Sequence, residues 1–354
     1  MRVALILPGN IWFAPYVRIY TRLLEAKRVD YSIISWNRDG RDPTEGFQYK
    51  GISFDGTRSA SLSEYLHYIR FIIRTVSRER FDRLIVFGPQ ISCLLFSMLI
   101  HWKGKYIIDY RDLSIEQKPG LKQLFSLLVK WSFANVISSP GFARCLPKAE
   151  YLISHNFNVD AVKQALEDKN DSTNFQMSDG IDILTIGGIR DYSSNIEIVK
   201  SLANKKGFNC RFVGKGVAEN QIRDYCVNNG IRNVHFRGFY RKEDEPGFIM
   251  SATFMNIFYP RIITHDTAMS NRFYNSLIYK RPMIVTQDTT QGDYAVKYGL
   301  GVAIQDGTSL AEKLQSFLES DYLEYSKRCN DLLRLFMIDQ HAFENKVNSF
   351  IESE

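Results

Sequence analysis

The sequence predicts an α/β protein built as two doubly wound domains in tandem, and three observations predict it. Short β-rich apolar runs alternate with longer amphipathic segments along the 354-residue chain. The alternation breaks once, at a polar stretch near the middle, and 45% of the residues are hydrophobic. Strand–helix alternation implies parallel sheets covered on both faces. A chain of this length has apolar material for two separate cores.

In the first half, strands are expected at Val3 to Leu7, Tyr31 to Ser35, Arg83 to Phe87, Tyr106 to Asp109, Asn135 to Ser138 and Tyr151 to Ser154. Between them, apolar residues at three- and four-residue spacing predict helices over Pro15 to Lys27, Ser63 to Arg80, Ile91 to Trp102 and Leu121 to Phe133. From Asp168 to Gly180 the chain is at its most polar and least periodic, which places a linker there. Strands resume at Ile181 to Ile186, Asn209 to Val213, Val234 to Arg237, Phe254 to Phe258 and Met283 to Thr286, and helical patterns run from Leu310 to Phe350. The expected domains are residues 1–167 and 181–354, joined by 168–180, with the last helices packing back on the first domain. The two sheets are expected to face a central cleft, since ligands of doubly wound folds bind beyond the carboxyl ends of the strands.

Composition narrows the function. Aromatic residues make up 13% of the chain, which excludes a disordered protein. The five cysteines are scattered with no Cys-x-x-Cys pair, so reduced thiols in a cytosol fit best. The apolar start, Met1 to Pro8, is too short for a signal segment, and no stretch approaches the ~18 to 20 apolar residues of a spanning helix. Residues 1–170 hold 24 Lys and Arg against 16 Asp and Glu, a net +8, whereas the remainder is −2. The basic excess therefore belongs to the first half and suits an anionic partner there.

Three places carry candidate chemistry. The strand ending at Ile186 runs into Gly187-Gly188-Ile189-Arg190, and Ser194 with Glu197 has the spacing of a capping box, which predicts a helix start. A glycine turn before a helix start favours an anion, because glycine lets backbone amides approach closely and the helix end offers unpaired N–H groups. Arg190 adds a permanent cation. A second turn, Gly214-Lys215-Gly216, precedes a helix over 218–229, and Lys215 there can pair with a phosphate. In the third place Ser270 caps a helix carrying Asn271, Arg272 and Asn275, followed by Lys280-Arg281-Pro282. The plain alternatives are a surface arginine, a solvated loop lysine and an ordinary capped helix.

These segments, together with Val234-His235-Phe236-Arg237-Gly238-Phe239, stand in an order and spacing that resembles the donor domain of GT-B glycosyltransferases, whose fold is two Rossmann-like domains. In the first half, Asp109-Tyr110-Arg111-Asp112 and His155-Asn156-Phe157-Asn158-Val159-Asp160 are similar to stretches of the retaining, glycosyltransferase family 4-like enzymes of bacterial capsule and surface-polysaccharide synthesis. The resemblance implies transfer of a sugar from a nucleotide-diphosphate sugar, as co-substrate with no further cofactor, to a saccharide acceptor that is lipid-linked. It implies that Gly187, Gly188, Arg190, Lys215, Gly216, Phe239, Ser270, Asn271, Arg272 and Asn275 hold the donor. Independently of the resemblance, Asp109, Arg111 and Asp112 end a strand at the expected cleft, where the acceptor hydroxyl should lie, with Asn10 and His155 also expected at the acceptor. Arg190 as stabiliser of the leaving group and Asp112 as base are expected to carry catalysis.

The sequence departs from the pattern in places. Asn195 stands where the family usually has a lysine, and Thr267 and Asn275 stand where it has paired glutamates, with His265 and Asp266 near the missing partner. Pro8-Gly9-Asn10-Ile11-Trp12-Phe13 replaces the usual Gly-Gly acceptor loop. No Asp-x-Asp occurs, so no metal is expected and charge on the departing diphosphate falls to Arg190, Lys215, Arg272 and the helix starts. Asp109, Arg111 and Asp112 have an equal reading as a structural salt-bridge network, and His155 as a hinge residue. Two other functions stay open, a catalytically degenerate subunit that binds a sugar nucleotide or a partner, and a nucleotide-sugar epimerase. Arg70, Arg74 and Arg78 recur on one helical face, which suits peripheral docking on the anionic inner face of a membrane, or else an ordinary solvated face. No nucleic-acid partner is expected.

Overall fold

A computed structural model of the chain describes residues 1–43, 45–51, 60–168, 180–320, 322 and 324–353. The chain forms two compact units, one of Met1–His155 with Ile338–Glu354 and one of Asn156–Met337. The expected linker lies outside the described residues apart from Asp168 and Gly180.

The first unit holds β1 (Arg2–Ile6), α1 (Val17–Ala26), β2 (Asp30–Trp36), β3 (Phe47–Tyr49), α2 (Leu62–Glu79), β4 (Arg83–Phe87), α3 (Pro89–Leu94), α4 (Phe96–Leu99), β5 (Tyr106–Tyr110), α5 (Leu121–Trp131), β6 (Ala134–Ile137) and β7 (Leu152–Ile153). Its strands are all parallel in the order β3-β2-β1-β4-β5-β6-β7. Every residue of β4 and β5 is buried, as a parallel sheet covered on both faces requires. Ser61 and Glu64 close a capping box on α2, the Ser61 N–H donating to Glu64 Oε2 at 2.6 Å. The single helix expected over 91–102 is two short ones, because the chain leaves helical geometry at Leu95 (ψ 10°), whose side chain is fully buried.

The second unit holds α6 (Val159–Glu167), β8 (Ile181–Ile186), α7 (Tyr192–Leu202), β9 (Phe208–Val213), α8 (Glu219–Asn228), β10 (Val234–Gly238), α9 (Glu245–Met250), β11 (Phe254–Ile257), α10 (Ile263–Thr267), α11 (Asn271–Ile278), β12 (Met283–Thr286), α12 (Thr290–Lys297), β13 (Gly301–Ile304) and α13 (Leu310–Ser320). Its sheet is again parallel, ordered β10-β9-β8-β11-β12-β13. The strand order reverses direction at β8, so the turn after β8 sits at the switch point where doubly wound sheets bind ligands. Tyr274 is fully buried against Phe157, Phe273 and Phe336, and a ring removed from water in this way stabilises the unit by about 1.5–3 kcal/mol.

The last helix, α14 (Tyr325–Glu352), contributes to both cores. Leu332, Leu333 and Phe336 are buried in the second, and Phe343, Val347, Phe350 and Ile351 pack with Val3, Leu5 and Ile85 in the first. The predicted capping box at Ser194 does not form. Helix α7 starts at Tyr192 with Asp191 at its N-cap, while Glu197 Oε1 accepts from the Gly307 N–H at 3.0 Å and Ser194 is buried. The five cysteines are free and all but Cys145 are buried. Among the described residues no helix is long and apolar enough to cross a membrane.

Candidate active site

In the second unit, three turns at the carboxyl ends of adjacent strands are laced together by main-chain hydrogen bonds. Gly187 N–H donates to Val213 O at 2.9 Å, Ile189 N–H to Lys215 O at 3.2 Å, and Gly214 N–H to Gly238 O at 2.8 Å. Glycine is needed here for two reasons. Gly187 and Gly214 have φ of +93° and +128°, and a Cβ at Gly214 or Gly216 would collide with the carbonyl oxygen of Gly187 or of Ile189.

On this platform Arg190 and Lys215 are exposed, and among the described residues neither forms an ion pair or a side-chain hydrogen bond. The Arg190 side chain folds back beside Gly188, its Nε 3.2 Å from where a Cβ on that glycine would lie. Lys215 runs past Gly238, its Cε 3.9 Å from the equivalent point. Next to it Phe239 is 76% exposed. Helix α7 follows at once, and no side chain caps its first amides and no acidic residue lies in its first turn. Two unpaired cations, open amides at a helix start and an exposed ring make a surface suited to an anion that carries an aromatic group.

Other expected donor contacts take different parts. Arg272 is tied down by three carbonyls, Nε donating to Ile186 O at 2.6 Å, Nη2 to Gly188 O at 3.0 Å and Nη1 to Asn256 O at 3.3 Å. It braces the glycine turn and leaves two of its five N–H groups over. Ser270 caps α11 as expected, accepting from the Phe273 N–H at 3.3 Å, and its own hydroxyl donates to Gln291 Oε1 at 2.7 Å. Asn271 Oδ1 accepts from Asn156 Nδ2 at 2.7 Å.

Asn275 donates from Nδ2 to Glu245 Oε1 at 2.7 Å. The carboxylate has no proton to give, so the amide nitrogen must face it and Oδ1 points the other way. Glu245 is buried, and Tyr240 donates to its Oε2 at 3.1 Å while Lys242 pairs with the same oxygen. Burial first and Glu245 second push the Tyr240 hydroxyl up to about 12, which keeps it a donor. Position 195 is likewise built into the interior. Asn195 Nδ2 donates to Asp191 O at 2.6 Å and its Oδ1 accepts from Asn256 Nδ2 at 3.1 Å, so a neutral amide network stands where the resembled pattern has a lysine. Near the other missing glutamate, Asp266 pairs with Arg261 at 2.9 Å, and the Thr267 hydroxyl donates to Ile263 O at 2.7 Å. Asp266 thus has a partner of its own.

In the first unit, Asp109 at the end of β5 is completely enclosed. Its carboxylate accepts from Arg111 Nε at 2.5 Å, Arg111 Nη2 at 2.7 Å and Tyr20 Oη at 2.7 Å. Arg111 further donates to Ser154 O and Ser154 Oγ, both at 3.1 Å, and lies under the Tyr16 ring at 4.6 Å. These two residues, expected at the acceptor, instead lock the ends of β5 and β7 together with their polar atoms turned inward. The Asn10 amide is similarly enclosed, donating to Asn37 Oδ1 at 3.1 Å and Asp39 Oδ1 at 2.7 Å. His155 is buried with Nε2 3.1 Å from Asp339 Oδ2, and burial holds its pKa below the ordinary value against the upward pull of Asp339. Asp112 is the open one. Its surface is exposed, and partial desolvation raises its pKa, with Arg111 opposing.

Glu245, Tyr240, Asn256 and Gln291 were not anticipated. Each acts on a residue at least 21 positions away or lies in an unremarkable polar run, so no local pattern marks them.

No protein-family model matches the sequence, and no curated protein does. Solved structures do match. Sucrose-phosphate synthase from Thermosynechococcus elongatus is 12% identical with a TM-score of 0.69, covering 100% of both chains. The lipopolysaccharide outer core galactosyltransferase WaaB, in its apo form, is 13% identical with a TM-score of 0.66, covering 99% of each. Anabaena Alr3699/HepE in complex with UDP-glucose is 10% identical with a TM-score of 0.64, covering 99% of this chain and 100% of that one. At such identities the likeness establishes the fold, and the chain has the α/β GT-B architecture of two Rossmann-like units.

Proposed function

We propose that the protein is a glycosyltransferase that moves a sugar from a nucleotide-diphosphate donor to a saccharide acceptor. The observation that carries this reading is the pair of cations, Arg190 and Lys215, which among the described residues have no partner, on glycine turns at the switch point of the second sheet, beside the uncapped start of α7. Of the similar structures, one is a galactosyltransferase and one holds UDP-glucose, which supports a nucleotide sugar as the ligand.

In the proposed step the bond from the anomeric carbon to the β-phosphate oxygen breaks, with its electron pair leaving on the diphosphate. The acceptor hydroxyl oxygen bonds to that carbon, and its proton passes to a base, for which Asp112 is the candidate because a raised pKa suits a proton acceptor. Arg190, Lys215 and the α7 amides offset the charge that develops on the leaving group, so the reading needs no metal. Retention of configuration and a lipid-linked acceptor in surface-polysaccharide synthesis follow the resemblance of the sequence motifs. In the first unit the arginines at 70, 74 and 78 are exposed on α2 along with Leu62 and Leu66, a combination that supports cytoplasmic, peripheral attachment to anionic lipid.

A thermal-shift screen over nucleotide sugars tests donor binding, since a ligand at 100 times its Kd stabilises the fold by ~2.7 kcal/mol. Arg190→Ala is expected to lower kcat by ~10²- to 10³-fold, as loss of one donor to a developing oxyanion does. Near-native turnover in that variant refutes the assignment. A stabilising donor that is neither hydrolysed nor transferred identifies a degenerate subunit instead.

A further inference from the structure

The opposite end of the first sheet carries a cavity that the transfer reaction does not use. It has a volume of about 390 Å³ and lies at the starts of β6 and β7, where Phe133, Ala134, Asn135 and Leu152 form part of its wall. The carboxyl ends of the same strands lead instead to Ser138 and to Ser154 and His155. Three separate segments bring a lysine each to this cavity: Lys130 from the last turn of α5, Lys148 from the loop before β7, and Lys346 from α14. Glu150 is the single acidic residue of the lining. Among the described residues none of the three lysines pairs with a carboxylate.

The ordinary explanation for Lys130, a cation that satisfies the carbonyls at a helix C-terminus, does not hold. Three of the last four carbonyls of α5, at 128, 129 and 131, already have donors. Leu128 O accepts from the Ser132 N–H at 3.0 Å and from Tyr106 Oη at 2.6 Å. Val129 O accepts from Asn135 Nδ2 at 3.1 Å, and Trp131 O accepts from the Gly104 N–H at 2.8 Å. Lys346 stands over the Phe133 ring at 4.8 Å, which holds its ammonium at the cavity wall. The floor is rigid, because Val129, Ala134 and Asn135 are buried and the Asn135 amide is bonded at both ends. Like charges gathered in a concave, fixed site repel one another and focus a positive potential, and an anion relieves both.

We propose that this cavity binds a phosphoryl group, with Lys130, Lys148 and Lys346 as its cations. The apolar wall of Val129, Phe133 and Leu152 accommodates an organic substituent. A free phosphorylated compound and a lipid headgroup present the same chemistry, and the experiment separates them. Since Arg190 and Lys215 take a diphosphate under the reading above, calorimetric titrations use the full chain carrying Arg190→Ala and Lys215→Ala. Inorganic pyrophosphate and monomeric dihexanoyl phosphatidic acid are the two probes. Adding Lys148→Glu and Lys346→Glu is expected to weaken binding about tenfold or more, whereas Lys148→Arg and Lys346→Arg change it less than about threefold. Both side chains are exposed, so the melting temperature should not move in either variant. Tighter binding of the phosphatidic acid assigns the site to a headgroup and tighter pyrophosphate to a soluble ligand. Absence of binding, or equal affinity in the Glu and Arg variants, overturns the proposal.

Discussion

Removing the Arg111 side chain should destabilise the first unit severely. Asp109 is 0% exposed and Arg111 only 8%, so both charges lie away from water. In Arg111→Ala the carboxylate keeps one of its three donors, Tyr20 Oη at 2.7 Å, and loses the two guanidinium contacts at 2.5 and 2.7 Å. The ties to Ser154 that join the end of β5 to β7 go as well. Leaving a buried charge without its partner costs about 3–5 kcal/mol, and in a unit of about 170 residues each kcal/mol lowers the melting temperature by about 2–4 °C, so a fall of about 6–20 °C is expected. All four tryptophans, Trp12, Trp36, Trp102 and Trp131, lie in this unit, so intrinsic fluorescence follows its unfolding alone. Urea denaturation of native chain, Arg111→Ala, Asp109→Asn and the double variant closes a cycle, and a coupling of about 1–3 kcal/mol is expected because the pair can be removed together more cheaply than either member. A loss below about 1 kcal/mol, or strict additivity, refutes the bracing role. If Arg111 contacted the acceptor instead, its loss would raise the acceptor KM and leave the melting temperature in place.

Two more outcomes follow from the site. Asn275→Glu introduces the residue type of the pattern that the sequence resembles but sets a second carboxylate in place of the 2.7 Å contact with buried Glu245, a repulsion of about 4 kcal/mol for charges about 4 Å apart at an effective dielectric of about 20. The variant should therefore melt lower and bind donor more weakly, and tighter donor binding with unchanged stability would contradict the arrangement. His155 is buried with its pKa below the ordinary 6.5, so between those two values the unfolded chain binds a proton that the folded chain does not. Its contribution is complete above about pH 6.5 and is lost as pH falls toward the folded pKa, so the fluorescence-detected unfolding midpoint should drop less between about pH 7 and 5 in His155→Gln than in the native chain. Equal slopes in the two proteins reject that linkage.

What the sequence by itself determined is what local pattern encodes. Strands β4, β5 and β8 match their expected positions within a residue, because each is a short apolar run bounded by turn residues. The glycine turns at 187, 214 and 216 were legible because a positive φ at 187 and close backbone approach at 214 and 216 call for glycine at a strand end. Strand β3 was missed. It is three residues long, half-buried and at the sheet edge, and so carries no alternation to read. Only the tertiary structure decided which charged groups are free. Arg190, Arg272 and Arg111 are identical side chains, yet Arg190 is open, Arg272 is bound to three carbonyls and Arg111 is sealed against Asp109. The partners of Arg272 come from positions 186, 188 and 256, and the carboxylate that orients Asn275 comes from position 245. Folding brings such residues together through the packing of whole elements, a long-range outcome that no periodicity in a short window records.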